Sequence, residues 1–207
     1  MLWRSKVMKI SHVLYKVNNL EDTVSQFRNQ GFTVEYGKKD KPYNALIYFE
    51  EGPYIELIQR MYMPIIVQKI LHLFGKRKFV EGLLAQNNAQ EGYIRIAFET
   101  TTDKFSHFNS IFREKQFKTI KVPVKRNDVY GYKLKCKCLF PFDANVPFIK
   151  SPFKTKRNLS CNHANGIKGI KKIRYKTNSK YLEIVQLLNT DSILEVEEGE
   201  FEIDVEF

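Results

Sequence analysis

The chain has 207 residues, 43% hydrophobic and 28% charged, which excludes a disordered or fibrous polymer and leaves enough chain to bury one core. Its net charge of +11 hides an asymmetry: Asp191 to Phe207 holds eight acidic residues and no basic one, so the first 190 residues carry 34 basic against 15 acidic. A basic body with an acidic end admits a nucleic-acid surface, but only GKRK (75–78) and KTKR (154–157) are dense and no reading motif accompanies them, so nucleic acid is disfavoured as a partner.

The start, MLWRSKVMK, has positive charge with no apolar core behind it, so no leader peptide is expected. Residues 10–17 alternate as a strand. NNLEDTVSQFRNQGF then opens with Asn caps and first-turn acids, spaces Leu20, Val24 and Phe27 on one helix face, and stops at Gly31. FTVEYG, NALIYFE and PYIELIQ read as three further strands, with EEG making a tight turn between the last two.

Residues 61–91 interrupt this pattern with two short helices, IIVQKILHLF and FVEGLLAQ, after Pro64 and broken at Gly75. MPIIVQKILHLF is the longest apolar run; Gln68 and Lys69 interrupt it and it is too short to span a bilayer, so no membrane is expected. The first pattern then recurs. YIRIAFET is a strand, TTDKFSHFNSIFREKQF a capped helix burying Phe105, Phe108, Ile111 and Phe112, and KTIKVPV, YKLKCKCLF and VPFIKS are extended. FRNQGF (27–32) and FREKQF (112–117) end the two helices alike. NHANGIKGIKKIRYKT, SKYLEIVQLL and ILEVEEGEFEIDVEF give a strand, a helix and an acidic hairpin turning near Gly199, whose alternating acids mark an ordered edge.

The expected fold is therefore α+β: two paired βαβββ modules with a helical insertion and a C-terminal strand extension. The boundaries fall at 1–60, 61–91, 92–153 and 154–207, all within one compact body. Cys136 and Cys138 share a strand face and read as packing. With Cys161 they make an odd count without zinc spacing, the pattern of a reduced, cytoplasmic protein.

The paired modules, with HVLYKVNNLEDTVSQFRNQGFTVEYG, YNALIYFEEGPYIELI, PFIK and HANGIKGI in that order, resemble the glyoxalase-like branch of the vicinal-oxygen-chelate superfamily, which includes glyoxalases, extradiol dioxygenases and antibiotic-resistance proteins. The resemblance implies that each module curls into half of an open cup of mixed sheet. It also implies that the first and fourth strands of both modules supply ligands for a divalent metal, here His12 and Glu56. Aligning YIRIAFE with ISHVLYK puts Arg95 at the histidine position, within a register step, and PFIK puts Lys150 opposite Glu56. Both are cations and poor metal ligands.

Three readings stay open. His12 and Glu56, completed by His163, hold Fe, Mn, Zn or Ni. Alternatively, Glu56 pairs with Arg95 or Lys150, and Tyr54, Arg95, Lys150 and Asn44 line a metal-free site for a small anionic or aromatic molecule. Or the polar residues only hold the modules together. Glu56 is the candidate catalytic group, for lyase, isomerase or dioxygenase chemistry. The expected partner is a small polar or anionic metabolite, transformed or sequestered, and a homodimer is left open. His72 and His107 read as surface or boundary histidines, the Cys161 and His163 adjacency as chance, and NGIKG as a turn.

Overall fold

A computed structural model describes residues 8–155 and 161–207. The start of the chain, read as leaderless, and Lys156 and Arg157 of the KTKR cluster lie outside the described residues. The first module runs β1 (Lys9–Lys16), α1 (Leu20–Asn29), β2 (Glu35–Tyr36), β3 (Asn44–Ile47) and β4 (Tyr54–Ile58). Asn19 caps α1 as expected, its Oδ1 accepting from the Glu21 and Asp22 amides, and Gly31 closes it at φ +86°. The insertion forms α2 (Ile65–Leu73) and α3 (Arg77–Ala85), parted at Gly75.

The second module is β5 (Gly92–Glu99), α4 (Ser106–Glu114), β6 (Thr119–Asn127), β7 (Lys133–Pro141) and β8 (Phe148–Lys150). Here the expected cap is corrected: the Thr100 and Thr102 hydroxyls turn the loop before the helix, and α4 starts behind Phe105 with no side-chain cap. Gln116 takes the left-handed conformation (φ +62°) at the repeat position of Gly31.

All eight strands form one curled, open sheet in the order β2-β3-β4-β1-β5-β8-β7-β6. The order reads the same from either edge by module, so a local two-fold axis passes between antiparallel β1 and β5. Because side chains alternate, the sheet has two distinct faces. Val13, Ile47, Ile55, Ile96, Phe98 and Ile149 point outward to the helices and form the main core with Val24, Phe108, Phe112 and Ile184. Leu14, Ala97, Cys136, Cys138 and Phe148 form a second, smaller cluster on the other face. That second face is the inside of the cup.

The C-terminal region adds β9 (Lys172–Thr177), α5 (Ser179–Leu188), β10 (Leu194–Glu198) and β11 (Glu202–Glu206) as a separate sheet in the order β10-β9-β11. The expected acidic hairpin is corrected, since β10 and β11 do not pair with each other but flank β9. Charge explains the arrangement. The cations of β9 meet acids on both sides: Lys172 with Glu195, Arg174 with Asp204 and Glu206, and Lys176 with Glu202. Two acidic strands side by side would instead place like charges opposite one another.

Candidate functional site

His12 and Glu56 reach one site because β1 and β4 are parallel neighbours, with His12 level with Tyr54 and Leu14 level with Glu56. All four side chains therefore face the cup. The His12 Nε2 lies 3.4 Å from Glu56 Oε2. Its ring stacks on Tyr54 (centroids 4.7 Å, planes 17° apart) and meets Phe148 edge-on. Ser11 Oγ sits 3.2 Å from Nδ1, so when that hydroxyl donates, Nε2 keeps its proton and donates to Glu56. From β3, the Asn44 amide donates to Glu56 Oε1 at 2.7 Å. Gly37 makes room for that amide: a Cβ there would sit 2.1 Å from Asn44 Oδ1.

The electrostatics follow from burial. His12 is pushed well below the ordinary imidazole range, first by desolvation and then by Lys150 and Arg126, so it is neutral near pH 7. Burial raises the Glu56 carboxyl, while the Asn44 hydrogen bond, Arg126 and Lys150 pull against that rise. The Tyr54 hydroxyl is held well up, by burial and then by Glu56.

The cations do not sit where the sequence puts them. Lys150 is 3% exposed and is ion-paired with Glu99, its neighbour across β5 and β8, rather than with Glu56. Arg95 is equally buried and donates twice to the Val146 carbonyl, at 3.1 and 2.9 Å, with its guanidinium 5.3 Å from the Phe148 ring and 5.8 Å from Phe140. Burial pulls its pKa down to about 10, against the opposing pull of Tyr175 and Asp143. Neither Arg95 nor Lys150 forms an ion pair with Glu56 among the described residues. Arg126, at the end of β6, reaches back to the Tyr48 hydroxyl (3.1 Å) and the Gly37 carbonyl (3.4 Å), so it bridges the two modules over the cup.

Strand register also corrects the alignment of the modules. Since His12 pairs with Tyr54 and Ala97 with Phe148, the two-fold axis relates His12 to Ala97, not to Arg95, and Glu56 to Lys150. His163 does not join the site. Its Nδ1 accepts from the Thr33 amide at 2.9 Å and its ring packs on Phe32 and Phe49, outside the cup. The four positions that the resemblance implies for a metal thus hold His12, Glu56, Ala97 and Lys150. Two donors facing a lysine, with Arg126 near, do not fit a divalent ion, and among the described residues no group of three His, Cys, Asp or Glu is placed to hold one.

His12, Tyr54, Glu56, Arg95, Arg126 and Lys150 line a cavity of about 560 Å³ that includes Leu14, Tyr43, Phe79, Phe140, Phe148, Cys136 and Cys138. The cysteines are cup wall as well as packing, and the hydrogen bond with Cys136, then burial, raises the Cys138 thiol. Gln86, behind α3, also borders it, and its Oε1 is buried with no hydrogen-bond partner among the described residues. His72 is exposed on α2, and His107 is half-buried beside Phe108.

Sequence reasoning missed Arg126, Glu99, Gln86 and Tyr48. One signal was present: extending FRNQGF and FREKQF backward without a gap pairs His12 with Ala97 and Leu14 with Glu99.

The sequence profile of the glyoxalase-like domain matches residues 10–189. Among solved structures, a hypothetical protein from Staphylococcus aureus is 15% identical with a TM-score of 0.60, over 94% of this chain and 88% of that one, a likeness of fold. The Mn(II)-bound glyoxalase from Novosphingobium aromaticivorans is 13% identical (TM-score 0.48) over 87% of this chain and 51% of that one. Methylmalonyl-CoA epimerase of Streptomyces coelicolor, in complex with 2-nitronate-propionyl-CoA, is 20% identical (TM-score 0.40) over 69% and 94%. No curated protein matches the sequence.

Proposed function

This chain belongs to the glyoxalase-like domain family, and from that premise we propose that its cup binds a small anionic metabolite with an apolar body without a metal ion, and that Glu56 exchanges a proton with it. The observation that carries the reading is Arg95, a buried guanidinium on the cavity wall with no carboxylate in ion-pair reach among the described residues. A buried charge that no ion pair holds is costly even with Asp143 acting on it from farther off, and an anionic ligand group supplies a close partner. Lys150 and Arg126 add positive potential above the cup floor. Leu14, Phe140, Phe148 and Phe79 offer the apolar wall, and Tyr54 and Asn44 order the polar end. The volume suits a ligand of metabolite size.

Glu56 is the group placed for chemistry. Its carboxyl is raised toward the range useful to a general base at neutral pH, and Asn44 and His12 hold its two oxygens. The fitting reaction class is removal and return of a proton beside the ligand's carbonyl, with Lys150 and Arg95 opposing the charge that develops.

The test is thermal denaturation of chelator-treated protein with small aromatic and aliphatic carboxylates, each beside its uncharged amide. The expected result is stabilisation by a carboxylate, not by its amide, and its loss in Arg95→Met. No stabilisation by any anion, or the same stabilisation in Arg95→Met, refutes the reading.

A further inference from the structure

Helices α1, α3, α4 and α5 each bury apolar residues, and α2 buries none. Yet α2 is apolar except on the one face that carries Gln68, Lys69 and His72. Leu71 turns inward and lines the cup, and Val67, one turn earlier, borders it while still largely exposed; Ile65 (69% exposed), Ile66 (73%) and Leu73 (84%) stand in solvent with Ile70, Phe74 and the preceding Tyr62. An apolar helix face is normally covered, and a contiguous exposed patch of this kind marks an interaction surface. Directly behind it comes the dense basic cluster, Lys76, Arg77 and Lys78, with Lys69 within the helix itself.

We propose that α2 and the basic turn after it dock the protein on an anionic lipid surface. The isoleucines, Leu73 and Phe74 enter the acyl boundary, and the four cations, of which Arg77 is also paired with Glu81 on its own helix, lie among the headgroups. The charge decides against a second copy of the chain. A two-fold pair joined through α2 would bring two copies of the cluster together, on a protein already at net +11. The acidic C-terminal strands are a poorer alternative partner, because β9 cations already pair with Glu195, Glu202, Asp204 and Glu206. Among the described residues no helix is long and apolar enough to cross a membrane, so the attachment lies along the surface. Since Val67 and Leu71 border the cavity from the same helix, docking turns the cup mouth toward the bilayer.

The experiment is co-sedimentation of the full chain with vesicles of phosphatidylcholine alone and with about a quarter phosphatidylglycerol, at low and high salt. Binding to the anionic vesicles that added salt weakens is expected. Replacing three cations in K76Q/R77Q/K78Q should weaken it about a hundredfold, at about fivefold per cation. The apolar variant I66S/L73S/F74S should also abolish it. Its targets are exposed, so an unchanged thermal transition checks that both variants fold. Absence of sedimentation, binding that neither variant reduces, or a solution dimer that I66S/L73S/F74S dissolves each overturns the proposal.

Discussion

Gly37→Ala tests the floor of the cup from a residue that never touches a ligand. The added Cβ would sit 2.1 Å from Asn44 Oδ1, 2.7 Å from its Cγ and 2.9 Å from its Nδ2, all far inside van der Waals contact. These atoms are the end of a side chain, so the amide swings away while the Gly37 N–H to Asn44 carbonyl bond of 2.9 Å holds β2 to β3. Glu56 then loses its 2.7 Å hydrogen bond. A hydrogen bond to a charged group contributes about 1.5–3 kcal/mol, and the loss falls on the ionised form. Folding stability at neutral pH should drop by about that amount, and Glu56 should titrate at still higher pH, because the amide is what most lowers it. Carbon-detected NMR of the labelled glutamate carboxyls reads the titration, and urea unfolding reads the stability. The effect must run through Asn44, so Gly37→Ala in an Asn44→Ala background should shift neither quantity further. An unmoved Glu56 titration in the single variant, or additive effects in the double, refutes the reasoning.

Glu56 and His12 should pull stability in opposite directions with pH. Glu56 titrates higher in the fold than its ordinary 4.5, so the folded state holds the extra proton and stability falls as pH rises from 4.5 through the raised value. His12 titrates below its ordinary 6.5, so the unfolded state holds the proton and stability falls as pH drops from 6.5 toward the lowered value. Between 4.5 and 6.5 the two oppose: relative to wild type, Glu56→Gln should tilt urea-derived stability upward with pH and His12→Gln downward, by at most about 1.4 kcal/mol per pH unit; slopes identical to wild type would contradict both. Gln116→Gly should stabilise the protein by about 1 kcal/mol, since a left-handed backbone costs a side-chain residue about that much, and thermal unfolding checks it. Arg95→Met should leave the ligand-free fold within about 2 kcal/mol of wild type, because removing a buried charge offsets the lost bonds to Val146; a larger loss would mean that Arg95 is structural rather than a binding group.

Much of the fold was legible because it is written in short periods. Alternation marks the strands, a 3.6-residue stripe marks the helices, and FRNQGF repeated as FREKQF marks the duplication. His12, Tyr54 and Glu56 meeting in the cup follows from alternation once β1 and β4 are neighbours. What local pattern does not carry is pairing between distant segments. The acidic end alternates like a hairpin, and only the cations of β9 reveal that β10 and β11 want a strand between them. His163 looks like a third donor because it opens the Gly-marked turn NHANG. Its place is set instead by the Thr33 amide, 130 residues earlier. Arg126 escaped notice because it lies beside other β6 cations, Lys121 and Lys125, and only the curl of the sheet brings its end over the cup.

The metal content of protein purified without chelators tests the central claim most directly, read by elemental analysis beside His12→Ala and Glu56→Gln. With Lys150 standing opposite Glu56 and Ala97 opposite His12, wild type should hold well under one divalent ion per chain and both variants should hold the same. One equivalent of Fe, Mn, Zn or Ni in wild type, lost in both variants, would contradict it.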